Sequence, residues 1–216
     1  MSVHSKSPNE RGWEILRGSV IEGFLDMKKP LDGLAYFREK TTGKKITPEA
    51  GVAAMCCAAA QCYLETLRNE DGDHAGAPSD GEPFKSMVFE IFDRMKNECP
   101  ESIDFYESSG HPNSYRMALS KLKVAEFTRD HELAVKVLLG SNFSSSDGAK
   151  MSDPDYVAKK ALAVASVMRA SRGNPSALNA AELVIEQVCK GPERVSVKRS
   201  VLSLMICSGA AKEKYV

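Results

Sequence analysis

The chain has 216 residues, of which 43% are hydrophobic and 27% are charged, and its formal net charge is zero. This length allows one domain with a core of its own, so folding requires neither disulfides nor a metal ion. No apolar run reaches the roughly 18 residues of a membrane-spanning helix, and the beginning, MSVHSKSPNERGW, lacks the apolar centre of a signal peptide. We therefore expect a cytoplasmic protein with reduced thiols and no membrane association.

Prolines that follow a capping residue mark where the predicted helices begin. Ser7–Pro8, Thr47–Pro48 and Asp153–Pro154 have this pattern, which suits a helix start because proline has no amide hydrogen to leave unpaired there. Between the prolines, apolar residues recur at steps of three and four, most clearly in FKSMVFEIFDRM, residues 84–95. The pattern predicts helices near residues 8–26, 31–41, 48–69, 83–98, 101–108, 112–128, 130–139, 154–172, 175–190 and 192–208.

Because one or two of these segments are expected to merge or fail, the predicted fold is all-α, a compact multi-helix domain of about eight or nine helices. A serine-rich segment, 140–154, is a candidate boundary between an N-terminal helical part, 1–149, and a C-terminal helical part, 150–216. No aromatic residue lies between Tyr156 and Tyr215, so the C-terminal part could form a three-helix subdomain. One continuous globular unit is the preferred interpretation.

Three cysteines, Cys56, Cys57 and Cys62, lie in the alanine-rich segment GVAAMCCAAAQCYLETL, residues 51–67. A zinc site usually has paired C-x2-C ligands, and the chain contains no such pair. Adjacent residues of a helix point about 100° apart, so Cys56 and Cys57 are badly placed to share an ion or to form a disulfide. We therefore expect no metal and no cofactor, a buried core helix in which the cysteines act as small hydrophobic side chains, and alanine substitutions that affect stability more than binding.

Charge is unevenly distributed along the chain. Residues 150–216 contain 11 Lys plus Arg against 6 Asp plus Glu, a net of +5, and the remaining 18 and 23 give −5 for residues 1–149. This asymmetry is typical of two differently solvated ends of a domain, but a basic face can also bind phosphates. The candidates for nucleic-acid contact are Arg169, Arg172, Lys190, Arg194, Lys198 and Arg199.

Two pairs of adjacent aromatic residues are candidates for contact with a protein partner. Tyr36 and Phe37 precede Arg38 in a short predicted helix with many lysines nearby, and Phe105 precedes Tyr106 near a predicted loop. Protein interfaces favour exposed aromatic and arginine side chains. Adjacent helical positions face different directions, so one ring of each pair can be exposed, whereas the more conservative interpretation buries one ring and half covers the other.

No sequence motif for catalysis is present. The chain has no phosphate-binding loop, no G-x-S-x-G nucleophile elbow and no H-E-x-x-H metal motif. His111 and His131 each stand at the beginning of a predicted helix, where we expect a surface or capping residue. A catalytic role for either would require a carboxylate from elsewhere in the fold. Enzyme activity is left open, and the non-enzymatic interpretation is favoured.

By elimination, these observations favour a cytoplasmic non-enzymatic factor that binds another protein as an adaptor, inhibitor or regulator. Factors of this size without a catalytic motif include accessory proteins of plasmids, phages and viruses, which is an analogy of type only. The first alternative is a helical protein that binds nucleic acid through its basic C-terminal helices, and the second is a helical enzyme whose site forms only in three dimensions. The alanine-rich helix could also pack against a second copy, so a homo-oligomer is a further option.

Overall fold

The computed structural model describes the backbone of residues 8–70, 81–141 and 154–171, together with the single helical positions Glu186 and Val195. The described ranges contain eight α-helices and no strand, so the predicted all-α fold is confirmed. Most of the last two predicted helices, 175–190 and 192–208, lies outside the described residues. The helices are α1 (Pro8–Asp26), α2 (Pro30–Thr41), α3 (Pro48–Glu70), α4 (Glu82–Glu98), α5 (Pro100–Ser109), α6 (Pro112–Phe127), α7 (His131–Leu139) and α8 (Pro154–Ala170).

Proline begins most of these helices, as the sequence predicts. It is the first residue of α1, α2, α3, α5, α6 and α8, and the second residue of α4. Thr47 caps α3, because its hydroxyl accepts a hydrogen bond from the amide of Ala50 at 3.3 Å. Asp130 caps α7 in the same way through the amide of Leu133, at 3.1 Å. Local signals in the sequence therefore determine where the helices start, to within about a residue or two.

Helix α3 is the core of the N-terminal part of the fold. It packs against α1, α2 and α4, and residues 52–58, apart from the half-buried Cys56, have no exposed surface. Alanine and cysteine occupy most of this segment, so the side chains add little width to the helix and neighbouring helices approach closely. The predicted role of the alanine-rich segment as a buried core helix is confirmed.

Two glycines lie where helices of this core approach each other closely. A Cβ added at Gly33 of α2 would lie 2.9 Å from the Sγ of Cys57 in α3. A Cβ added at Gly51 of α3 would lie less than 3.0 Å from both the Sδ and the Cγ of Met95 in α4. Real Cβ atoms essentially never show such distances, so any larger residue at these positions would force the helices or their side chains to move.

The three cysteines of α3 have different surroundings. Cys57 and Cys62 are buried, and burial raises the pKa of each thiol to about 12. Cys56 is only half-buried, and its Sγ accepts a weak hydrogen bond from the hydroxyl of Ser120 at 3.6 Å. The expectation of a buried thiol therefore holds for Cys57 and Cys62 and is wrong for Cys56, because that side chain points about 100° away from its neighbour on the helix.

The chain divides into two compact units, residues 1–120 and 121–216. In the first unit, Arg116 of α6 donates a hydrogen bond to Glu22 of α1 at 2.6 Å. In the second unit, α7 packs against α8. This division falls inside α6, and the boundary expected from the sequence at residue 149 stays a prediction.

Replacement of Gly51 by alanine is expected to destabilise the first unit. Alanine normally favours a helix interior over glycine by about 1 kcal/mol, but here the new methyl group would displace the fully buried Met95, and such overpacking costs about 1–3 kcal/mol. Gly23→Ala is the matched control, because nothing lies within 4 Å of a Cβ added there. Urea unfolding should give a lower free energy of unfolding for Gly51→Ala and an equal or higher one for Gly23→Ala. Equal effects of the two changes would contradict the close packing.

The cysteines of α3 should react with iodoacetamide at different rates in the native protein. Because the pKa of Cys57 and of Cys62 is about 12, only about one in ten thousand of these thiols is deprotonated at pH 8. Both side chains are also buried, so the reagent cannot easily reach them. Cys56 is half-buried and should be alkylated before its neighbour Cys57. Peptide mass spectrometry after short labelling measures this order, with labelling in guanidinium chloride as the control. Labelling of all three at one rate in the native protein would rule out the buried-helix account.

Candidate functional site

Helix α5 contains the aromatic pair Phe105–Tyr106 and ends at a sharp turn. Pro100 occupies its first position. At its other end Gly110 has a φ of 66°, a left-handed conformation that glycine adopts at little cost, and the amide of Gly110 donates to the carbonyl of Tyr106. The chain thereby turns back, and the next residue, His111, lies against α5.

His111 connects α5 to α6 through its side chain. Its Nδ1 accepts a hydrogen bond from the amide of Asn113 at 3.1 Å, so the imidazole caps the N-terminus of α6. The imidazole ring stacks on the ring of Tyr106, with the centroids 4.3 Å apart and the planes 17° from parallel. The expectation that His111 is a surface or capping residue is confirmed, whereas nothing in the sequence indicates the stacking.

Tyr106 is a core residue that joins α5 to α3. Its hydroxyl donates a hydrogen bond to Oε1 of Glu49, in the first turn of α3, at 2.8 Å. Burial, and then the bond to Glu49, raises the pKa of Tyr106 to about 12, so the phenol keeps its proton and remains a donor at neutral pH. Although Tyr106 is one of the predicted contact residues, its side chain is buried and does not reach a partner.

Phe105 lies on the outside of the same aromatic cluster. Its ring centroid is 6.2 Å from that of Tyr106 and 6.1 Å from that of His111, and 57% of the residue is exposed. Both distances lie within the range of aromatic pairs, so the phenyl ring packs against its two neighbours on one side. Phe105 therefore offers a large apolar surface to solvent beside two other rings.

The exposed stripe of α5 around Phe105 is acidic. Glu101, Asp104, Phe105 and Ser108 recur at steps of three and four residues, and all four are exposed. With Glu107, the helix contains three acidic residues and no lysine or arginine. Within the described ranges, neither Glu101 nor Asp104 forms an ion pair. We call the stripe of Glu101, Asp104, Phe105 and Ser108 the α5 face.

A group of hydrogen bonds from α4 fixes the turn that leads into α3. Arg94 of α4 donates to the carbonyl of Lys44 at 2.6 Å and to Oε1 of Glu98, also at 2.6 Å. Glu98 in turn accepts a hydrogen bond from the amide of Ile46 at 2.6 Å. These bonds satisfy backbone groups of the turn, residues 42–47, and hold the end of α3 to which α5 is attached.

The second aromatic pair lies on α2 and forms a less well defined surface. Phe37 is buried in the core, so it does not reach a partner. Tyr36 is half-buried, with its ring centroid 6.1 Å from that of Phe24 and the Nζ of Lys40 5.5 Å from its own ring. Arg38 is exposed. Because α2 contains two acidic and two basic residues, it has no net charge to select a partner.

Of the six basic residues predicted to contact nucleic acid, the structure describes Arg169. It donates from Nε to Oε1 of Glu126 at 2.5 Å and from Nη2 to Oε2 at 3.3 Å, and its side chain is 17% exposed. The guanidinium group thus has an internal partner and is poorly placed to bind a phosphate. The other five candidates lie outside the described residues: Arg172, Lys190, Arg194, Lys198 and Arg199.

Sequence reasoning missed two residues with distinctive surroundings. Glu49 occupies the first turn of α3, where acidic residues are common because of the helix dipole, so nothing marked it as the partner of Tyr106. Lys160 of α8 is fully buried, which is rare for lysine, whereas the preceding Lys159 is half-buried. His131 is the first residue of α7 and is half-buried.

Neither a metal site nor a membrane span is found among the described residues, and the comparisons with known proteins match nothing. The part of the chain that the structure describes contains no group of three or more His, Cys, Asp or Glu side chains that could hold a metal ion. None of the described helices is long and apolar enough to cross a membrane. Comparison with protein-family models, with curated proteins and with solved structures finds no match in any of the three. Function is therefore inferred from the side chains themselves.

The ion pair between Glu126 and Arg169 is expected to stabilise the second unit above about pH 4.3, the usual pKa of glutamate. Burial acts to raise the pKa of Glu126, but the hydrogen bond from Arg169 and the charge of Lys123 outweigh it and lower the pKa. Of the two basic neighbours, Arg169 makes the larger contribution to lowering the pKa of Glu126, through its hydrogen bond. Glu126→Gln should reduce the free energy of unfolding at pH 7 by about 1–3 kcal/mol.

The pH dependence of this loss distinguishes the ion pair from simple packing. A lowered pKa in the folded state gives stability that is lost as the pH falls through that pKa, because the carboxylate then becomes protonated. Denaturant unfolding of the wild type and of Glu126→Gln should therefore converge at low pH. Glu132→Gln, at an exposed position in the first turn of α7, is the matched control and should reduce the free energy of unfolding by less than about 1 kcal/mol, since it removes only a favourable contact with the helix dipole. A constant difference between wild type and Glu126→Gln at every pH would contradict the assignment.

Proposed function

We propose that this protein acts by binding another protein, as an adaptor, inhibitor or regulator, without catalysing a reaction, and that the α5 face is its contact surface. The observation that carries this proposal is the exposed ring of Phe105, supported from below by Tyr106 and His111. Aromatic side chains in the centre of an interface supply much of the binding energy of protein complexes. A ring already held in place loses little conformational entropy when a partner covers it.

Two features of the surroundings support the choice of α5 over α2. The aromatic ring that points outward from α5 is more exposed than that of α2, where Tyr36 is half covered by its neighbours. The attachment of α5 is also rigid, since Tyr106 is hydrogen-bonded to Glu49 of α3 and His111 caps α6. A preorganised surface gives higher affinity than a mobile one of equal area.

The enzymatic alternative has weaker support. His111 has an indirect link to a carboxylate, through Tyr106 and Glu49, but its Nδ1 is used to cap α6 and one face of its ring is covered by Tyr106. A general acid or base needs a ring nitrogen within reach of the substrate. Acting through Nδ1 would therefore require the ring to give up the helix cap.

Nucleic-acid binding also has weaker support from the described residues. The α5 face is acidic and repels phosphates, and the guanidinium of Arg169 is hydrogen-bonded to Glu126.

We further propose a cytoplasmic location, because the four described cysteines are free thiols, as is usual in a reducing compartment.

Phe105→Ala is expected to weaken partner binding strongly while leaving the fold intact. The tagged full-length protein would be captured from its native host as wild type and as Phe105→Ala. A stoichiometric partner should be recovered with the wild type. The affinity of the variant for this partner should be lower by at least about thirtyfold, the loss typical of a central interface residue. Stability should change by less than about 1 kcal/mol, since the ring is mostly exposed.

Leu31→Ala is the matched control, because Leu31 is also a large exposed apolar residue of the first unit. It should leave capture unchanged, and gel filtration of each protein would reveal a second copy as the partner. Capture of the same partner by Phe105→Ala at wild-type yield, or recovery of no partner at all, would contradict the proposal.

A further inference from the structure

The chemistry of the α5 face restricts the kind of partner that it fits. Glu101 and Asp104 precede the exposed Phe105 by four and by one position on α5, and within the described part of the chain neither carboxylate forms an ion pair. No lysine or arginine occurs anywhere on α5. A partner that covers this face must therefore accommodate an aromatic ring and two negative charges at once.

An apolar or acidic partner would bind this face poorly. An apolar surface placed on Phe105 would also bury parts of Glu101 and Asp104 without a counter-charge, and desolvation of a carboxylate is costly. An acidic surface, including nucleic acid or an anionic membrane, would be repelled by the same two groups. A neutral polar partner would gain little from the ring.

An arginine side chain fits all three groups. Its guanidinium can lie flat on a phenyl ring in a cation–π contact and at the same time donate two parallel hydrogen bonds to a carboxylate. Residues four apart on a helix have their Cβ atoms about 5–6 Å from each other, so Glu101 and Phe105 are close enough to contact one guanidinium. Lysine offers a single point charge and cannot make the flat, two-pronged contact.

We infer that the α5 face binds a basic, arginine-containing segment of a partner protein. This inference rests on the proposed function above and names the chemical class of the partner. The arginine stacks on Phe105 while Glu101 and Asp104 accept its hydrogen bonds, and further basic residues of the segment face the negative charge of α5.

The test uses the full-length protein and three fluorescein-labelled peptides that alternate glycine with arginine, with lysine or with citrulline, the uncharged isostere of arginine. Fluorescence anisotropy should show binding of the arginine peptide, weaker binding of the lysine peptide and none of the citrulline peptide. Phe105→Ala should lower the affinity for the arginine peptide by about fivefold, as expected for loss of an exposed cation–π contact. The double variant Glu101→Gln with Asp104→Asn should lower the affinity for the arginine peptide by about tenfold. The affinity of this variant should also depend less on salt concentration than that of the wild type.

The matched control for charge is Asp26→Asn with Asp32→Asn, which removes two exposed carboxylates of the same unit away from α5. It should leave binding of the arginine peptide within about twofold of the wild type, since neither carboxylate belongs to the α5 face and solvent screens exposed charges. Equal losses with this control and with the α5 variant would show nonspecific attraction and overturn the inference. Equal binding of the arginine and citrulline peptides would also overturn it.

The peptide experiment and the capture experiment fail in distinguishable ways. If Phe105→Ala abolishes capture of the native partner but the arginine peptide does not bind the wild type, the contact surface stands and the partner class is wrong. If Phe105→Ala affects neither capture nor the peptide, both the surface and the partner class are wrong. Phe105→Tyr, which keeps a ring, should retain binding and separates the role of the ring from a general effect of mutation.

Discussion

The close approach of helices to α3 is the constraint on which the rest of the fold depends. Val52 to Met55 and Cys57 to Ala58 have no exposed surface, and larger side chains at Gly33 or Gly51 would collide with Cys57 or Met95. Packing at this density leaves little room for a helix to shift. Helices α1, α2 and α4 are held against α3 by this contact, and the turn before α3 is fixed from α4 by Arg94 and Glu98.

Contacts with that core hold the α5 face in place. Tyr106 is bonded to Glu49 at the start of α3, and His111 both stacks on Tyr106 and caps α6. Phe105 is therefore supported by residues that are themselves tied to the core and to the next helix. A short surface helix of ten residues would have little stability in isolation, so these attachments are what give its outer side chains a defined position.

Much of the fold could be predicted from local sequence signals, and much of the site could not. A proline, a capping residue or both marked most helix starts, because the cap and the missing amide act within one turn of the helix. The aromatic pair at Phe105 could be proposed as a contact site for the same local reason, since adjacent residues point in different directions. The partner of Tyr106 is 57 positions earlier in the chain, and no local pattern relates it to Glu49.

Three pairs of adjacent residues show what the sequence by itself determined and what only the tertiary structure decided. Periodicity and capping residues determined that each pair lies on a helix. They did not decide that Cys57 is buried and Cys56 half-buried, that Lys160 is buried and Lys159 half-buried, or that Tyr106 is buried and Phe105 exposed. The members of a pair point about 100° apart, so the side of the helix on which a neighbouring helix packs decides which one is buried, and that contact is made with residues distant in the chain.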